Sequence, residues 1–279
     1  IGEASLRTLF DLLPWIFLVV VPALTMGSLA EEKSEGTLEF LLTRPIRIHE
    51  LILGKFFGIF GVFCVTLFFI FPLAWSLGKF GPLDWGEVAA QYLAAVMLSS
   101  LFASLGIFVS SIFLSQVSAF VTSSIVGFFL LVSGTEMVTS RLPLSVAPFL
   151  DQLSAASHFD SLARGAVDVR DLWYFLSFVA IFLSGAAVVL LKGKYGEKKK
   201  VLRQFRLVSV LAVGIVVLSN IVGSRIPGRF DFTEEKRYTL SPATISLLGS
   251  LPDDVTSITL YASGKLPTQL QPTLREAED

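Results

Sequence analysis

Between Glu87 and Glu136 the chain carries no charged residue at all. A helix rises ~1.5 Å per residue, and a hydrocarbon core of ~30 Å needs about 20 apolar residues. Residues 88–135 are roughly twice that length, so the stretch is read as two antiparallel spans. Ser110, Ser111, Ser115 and Gln116 supply the polar turn expected between them. Four further apolar stretches meet the same length rule: 12–30, which contains Pro14 and Pro22, then 56–78, 172–191 and 207–224. The expected fold class is therefore an all-α polytopic membrane protein with about six transmembrane helices. Composition agrees. Of 279 residues 53% are hydrophobic and only 16% charged, against ~25% in soluble domains. A water-soluble fold would lack polar side chains to cover its outside.

Lys and Arg near the span ends set the expected orientation. Lys192, Lys194, Lys198, Lys199, Lys200, Arg203 and Arg206 cluster between the last two spans, which places 192–206 in the cytoplasm. Residues 31–55 then also face the cytoplasm, while 79–86, 136–171 and everything after 224 face outside. The basic residues of the tail oppose the rule mildly, but larger domains translocate largely regardless of charge.

Residues 31–45 read as one short amphipathic helix: Leu38, Leu41 and Leu42 share a face at i, i+3, i+4, and Pro45 stops it. A second helical stretch, 48–55, leads into the next span. Periodicity alone describes an interfacial helix that settles the chain between two spans. The residue types say more. Glu31-Glu32, Gly36-Thr37, Glu39, Leu41-Leu42-Thr43 and Pro45, followed by Leu53-Gly54-Lys55, resemble the cytoplasmic coupling helix of ABC-2 type transporter permeases. The likeness is to the branch associated with gliding motility and nitrous-oxide-reductase maturation. In that family the element sits in a groove of the ATP-binding subunit. The resemblance therefore implies Glu31, Glu32, Gly36, Thr37, Glu39, Thr43 and Pro45 as contacts to a separate ATPase.

The segment His158-Phe159-Asp160-Ser161-Leu162-Ala163-Arg164-Gly165 is similar to the outer-face stretch before the last permease helix of the same branch, where short re-entrant helices form the outer mouth. It marks His158, Phe159, Asp160, Arg164 and Gly165. Taken by itself, His158 reads as an interfacial histidine, since a metal site needs several donors and His49 lies on the other side. The family unit has six helices and five are found up to residue 191, which implies that the first lies before Ile1.

The tail is patterned differently. Ser241 suits a helix N-cap and Pro242 the first helical position, with an end near Gly249. Residues 255–262 alternate as a strand. Residues 230–242, which contain Thr233-Glu234-Glu235-Lys236-Arg237-Tyr238-Thr239-Leu240-Ser241, resemble the opening of the auxiliary subunit that accompanies gliding-motility permeases. The alternative is a generic outer domain on a single anchor. The expected organisation is a permease transmembrane domain at 1–191, a basic cytoplasmic linker at 192–206, an additional span at 207–224, and the start of an extracytoplasmic α/β domain at 225–279.

Several functions lack their residues. No G-x-x-x-x-G-K-[ST] loop occurs, so ATP hydrolysis is expected in a separate subunit and no catalytic residue or cofactor in this chain. His49-Glu50 is not followed by the second His of a zincin. No carboxylate sits mid-span, where ion-coupled carriers usually bury one. Cys64 has no partner for an internal disulfide, and a net charge of −1 gives no field for nucleic acid. The expectation is a permease of an ATP-driven export system in the cytoplasmic membrane. Its expected partners are an ABC ATP-binding subunit, a second permease half and membrane lipids. The rival is a non-transporting anchor that links a cytoplasmic ATPase to an envelope partner outside.

Overall fold

The computed structural model describes residues 6–43, 46–140, 146–195, 214, 228–234, 236, 238, 239, 244 and 246. In chain order the elements are α1 (Arg7–Thr25), α2 (Gly27–Ser34), α3 (Thr37–Thr43), α4 (Ile48–Leu77), α5 (Trp85–Ile112), α6 (Gln116–Val132), α7 (Glu136–Thr139), α8 (Ala147–Leu153), α9 (Ala155–Ala163), β1 (Ala166–Asp168), α10 (Val169–Tyr195) and β2 (Arg229–Asp231). The fold is an all-α membrane bundle with one small sheet. Residues 7–34, α4, α5 and residues 169–193 are each long and apolar enough to cross a bilayer. The 17 residues of α6 reach only about 25 Å, short of the ~30 Å core. The expected span 207–224 lies outside the described residues, apart from helical Gly214, as do Lys198 to Arg206.

α5 is the central helix, and α1, α4, α6, α9 and α10 all pack on it. Its sequence explains this. Ala95, Ser99 and Ala103 form a small-residue row that is fully buried, so neighbouring backbones can come close. Gly106 lies under α1 so tightly that a β-carbon there would stand 1.9 Å from the Thr25 Oγ1. Serines are tolerated in the bundle because they bond their own helix: Ser99 Oγ donates to the Val96 carbonyl at 2.9 Å and Ser104 Oγ to that of Leu101 at 2.8 Å. α4, by contrast, turns Phe57, Phe68 and Phe69 outward, as a lipid-facing helix does. The row Gly54-x-x-x-Gly58 has the same spacing, but among the described residues a β-carbon at either position meets nothing within 4 Å.

Two other expectations are corrected. The turn in the uncharged stretch is confined to residues 113–115. Ser110 and Ser111 are still helical, and Ser115 caps α6 by accepting the Ser118 N–H. The 31–45 helix is two helices, because α2 runs on from the first span and Gly36, at φ +73°, breaks it before α3. Residues 48–55 and 56–77 are conversely one continuous helix.

The bundle has two distinct ends. One carries α2, α3, the starts of α4 and α6 and the ends of α5 and α10; it is called the elbow end. The other carries α8, α9 and a two-stranded antiparallel sheet, in which Ala166, Val167 and Asp168 pair with Asp231, Phe230 and Arg229; it is called the strand end. Residues 1–238 form one compact unit and 239–279 a second. In the second, Thr244 and Ser246 are helical, and the strand expected at 255–262 lies outside the described residues.

Candidate functional site

The elbow is built from a helix that ends early. Glu35 N–H and Gly36 N–H close α2 on the carbonyls of Glu31 and Lys33 at 3.0 and 3.3 Å. Gly36 then takes the left-handed conformation that glycine adopts without penalty after a helix. Thr37 Oγ1 donates to the Glu32 carbonyl at 3.2 Å, tying the start of α3 back across the turn. Thr43 Oγ1 donates to the Phe40 carbonyl at 2.7 Å at its far end. Among the described side chains of α3 only Leu38 is fully packed in, at 5% exposure, while Phe40 is 62% exposed. Glu31, Gly36, Thr37, Glu39 and Thr43 are exposed as well. Pro45 lies outside the described residues, and nothing is described of the Leu42 side chain.

Glu32 behaves differently from the other predicted contacts. It is half-buried and turned inward, and its Oε1 accepts from Lys55 Nζ at 2.6 Å. The same ammonium donates to the Ser28 carbonyl. One lysine of α4 thereby grips α2 twice. Lys33 reaches across to the Ser111 carbonyl in the last turn of α5, where the helix leaves carbonyls free and favours a cation.

The tightest join is Ser110. Met26 interrupts the first span, so the first N–H groups of α2 have no carbonyl behind them. Ser110 Oγ accepts from the N–H groups of Leu29 and Ala30, both at 3.0 Å, and donates to the Met26 carbonyl at 2.9 Å. A buried hydroxyl on α5 thus caps α2 from another helix. Ser110→Ala is expected to lower stability in detergent by about 1–3 kcal/mol, because buried backbone groups lose their partner. Ser99→Ala, whose hydroxyl only bonds its own helix, is the matched control and should be close to neutral in the same thermal melts.

At the strand end, Asp160 accepts from both Arg7 and Arg164, the latter through Nε at 3.1 Å, and the carboxylate holds the Arg164 guanidinium above its ordinary pKa. Phe159 is buried in the core. His158 stacks on Tyr174 with ring centroids 4.0 Å apart. Its Nδ1 lies 2.7 Å from Asp171 Oδ1 and its Nε2 3.1 Å from the Gln152 carbonyl. Tyr174 OH donates to the Leu153 carbonyl at 2.7 Å. This set locks α8 and α9 onto the head of α10.

Gly165, at φ +92°, ends α9 and starts β1. Its carbonyl accepts the Phe232 N–H at 3.0 Å. The segment 228–238 continues across the strand end as a strap. The Glu234 N–H points to Asp84, the N-cap of α5, at 3.2 Å. The Phe232 carbonyl rests on Gly86 so closely that a β-carbon there would stand 1.6 Å away. Asp231 folds the strap on itself, accepting from the N–H groups of Thr233 and Tyr238 at 3.0 and 2.9 Å. None of Ser110, Lys33, Asp84, Gly86 or Asp231 stood out as a functional residue in the sequence. Lys55 stood inside the 31–55 pattern, but its direction did not.

A family model described as "ABC-2 family transporter protein" matches residues 7–218. A second, described as "Domain of unknown function (DUF7088)", matches residues 234–279. No curated protein and no solved structure matches the chain.

Proposed function

The chain belongs to the ABC-2 family of transporter proteins, a membrane component of ABC systems, and we propose that it is a permease half of an ATP-driven exporter. The family implies partnership with an ABC ATPase. In this reading that subunit docks on the elbow through Glu31, Gly36, Thr37, Glu39, Thr43 and Pro45, while Glu32 acts from behind by fixing α2 to Lys55. The observation that carries it is the contrast at the elbow. The outer face of α3 is exposed, whereas α2 is pinned to α4 and α5 by Lys55, Lys33 and Ser110. A push on α3 is passed to three spans instead of being absorbed by a loose loop, and packed elements of this kind carry switching motions. ATP shifts the permease only if its two forms differ in their contacts with the ATPase.

Chemistry and charge support the remaining parts of the reading. Two such halves assemble in the inner membrane with lipid around α4. The elbow end is cytoplasmic, and the strand end and residues 225–279 are extracytoplasmic. The tail is the start of a gliding-motility type auxiliary subunit fused to the permease. The chain holds no catalytic residue and takes no cofactor.

The test is affinity purification of the full-length protein from a mild detergent extract of its native membranes, beside a Gly36→Pro, Glu39→Arg double variant. Proline locks φ near −65° and cannot take the conformation of Gly36; arginine reverses a contact charge. The parent is expected to carry an ATP-binding subunit and the variant, with an unchanged melting profile, to lose at least about tenfold of it. A parent that carries no ATPase sinks the reading.

The strap supports a second reading, the transmitter. The described residues of 228–238 bond to the heads of α5 and α10, and in this reading they carry helix movement to the outer side of the membrane. ATP-dependent flux in proteoliposomes separates the two, because only the exporter moves a substrate.

A further inference from the structure

A cleft of about 610 Å³ opens at the strand end, lined by Thr135, Asp151, Ser157, Asp160, Arg164 and Tyr238. Its volume is that of a small-molecule site. A smaller groove of about 130 Å³ shares Thr135, Ala156 and Asp160 with it and runs past Pro14, Trp15 and Leu131. Trp15 is 50% exposed, and its helix neighbours Leu12 and Ile16 are exposed too, so the groove opens on the lipid-facing side of α1. The groove, which Asp11 also lines, thus adjoins the polar cleft on the lipid-facing side of α1.

The charges that line the cleft are of both signs: Asp151, Asp160 and Arg164. Arg164 keeps a half-exposed guanidinium although it is paired with Asp160. Asp151 accepts from Ser157 Oγ at 2.6 Å, and among the described residues no cation neutralises it. A lone anion would meet Asp151, and a lone cation would meet Arg164. A phosphate beside Arg164 with an ammonium beside Asp151 satisfies both, since guanidinium suits phosphate and carboxylate suits ammonium. We infer that this cleft binds the zwitterionic headgroup of an aminophospholipid, with an acyl chain laid along Pro14, Trp15 and Leu131. The site requires only that the strand end meets a bilayer surface. It stands whether or not an ATPase docks on the elbow.

Native mass spectrometry of the full-length protein, released from detergent with equal amounts of phosphatidylethanolamine and phosphatidylglycerol, tests this. The parent is expected to retain phosphatidylethanolamine preferentially. Asp151→Asn keeps an acceptor for Ser157 but loses the charge, and should cut that binding about tenfold and erase the preference. Trp15→Ala should weaken both lipids without changing their ratio, which keeps the inference open to refutation if the Asp151 variant is unstable. Equal retention of the two lipids by the parent, or an unchanged ratio in Asp151→Asn, overturns it. Displacement of the lipid by soluble glycerophosphoethanolamine at the same concentration also overturns it, in favour of a water-soluble ligand.

Discussion

A Gly106→Val variant is expected to lose about 3 kcal/mol or more of stability, at the upper end of what overpacking a helical core costs. The β-carbon alone would stand 1.9 Å from Thr25 Oγ1 and 2.7 Å from Thr25 Cβ. Thr25 cannot step aside. It is fully buried, and its hydroxyl donates to the Val21 carbonyl at 3.0 Å. Relief therefore has to come from α1 moving off α5, which opens the centre of the bundle. Thermal unfolding in detergent reads the loss. A Thr25→Gly, Gly106→Val pair, which removes the side chain that the valine meets, should recover part of it. The coupling measured by the double-mutant cycle then reports the contact itself. A variant as stable as the parent would mean that α1 does not lie on α5 as described.

The second large effect falls on the strap and leaves the helix intact. Gly86 is the second residue of α5 after Asp84, and alanine there suits a helix better than glycine by about 1 kcal/mol. Yet its β-carbon would stand 1.6 Å from the Phe232 carbonyl oxygen and 2.6 Å from its carbon. Backbone cannot rotate away as a side chain can. Gly86→Ala is therefore expected to hold the spans at full stability while displacing residues 228–238. The strap would lose the Phe232 to Gly165 bond and the pairing of β2 with β1. At roughly 1 kcal/mol per bond, losing several such bonds is expected to speed amide exchange at the paired residues of β1 and β2 by at least about tenfold. Exchange in α5 should stay as it was. Unchanged protection of β1 would show that the strap is not held at Gly86.

Much of this was legible in local pattern. Charge-free runs of about 20 residues are enough to place a span, because hydrocarbon admits only chain that satisfies its own backbone. The long apolar helices after Glu87 and after residue 169 followed from that alone, whereas the second span expected before Glu136 is the shorter α6, and Ser115, read as a turn residue, is its cap. The glycine at 36 and the leucines of α3 were also visible. What the pattern did not show was that Gly36 takes a positive φ and splits one amphipathic run into two helices. Periodicity counts residues and does not see the turn between them.

The contacts that make the elbow and the strap were decided by tertiary structure. Ser110 looked like a turn residue because serine near a helix end often is; its three bonds to Met26, Leu29 and Ala30 exist only once α2 lies beside α5. Glu32 and Glu39 are equally acidic in sequence, yet one faces Lys55 and the other faces outward. The row at Ala95 and the row at Gly54 have the same spacing, but among the described residues one is buried and the other meets nothing. β2 finds β1 across some 60 residues of chain, a pairing that no local propensity encodes. The sequence by itself determined which segments form long apolar helices, because hydropathy and backbone bonding are properties of each segment alone. The tertiary structure decided which polar group meets which, because that depends on which helices end side by side.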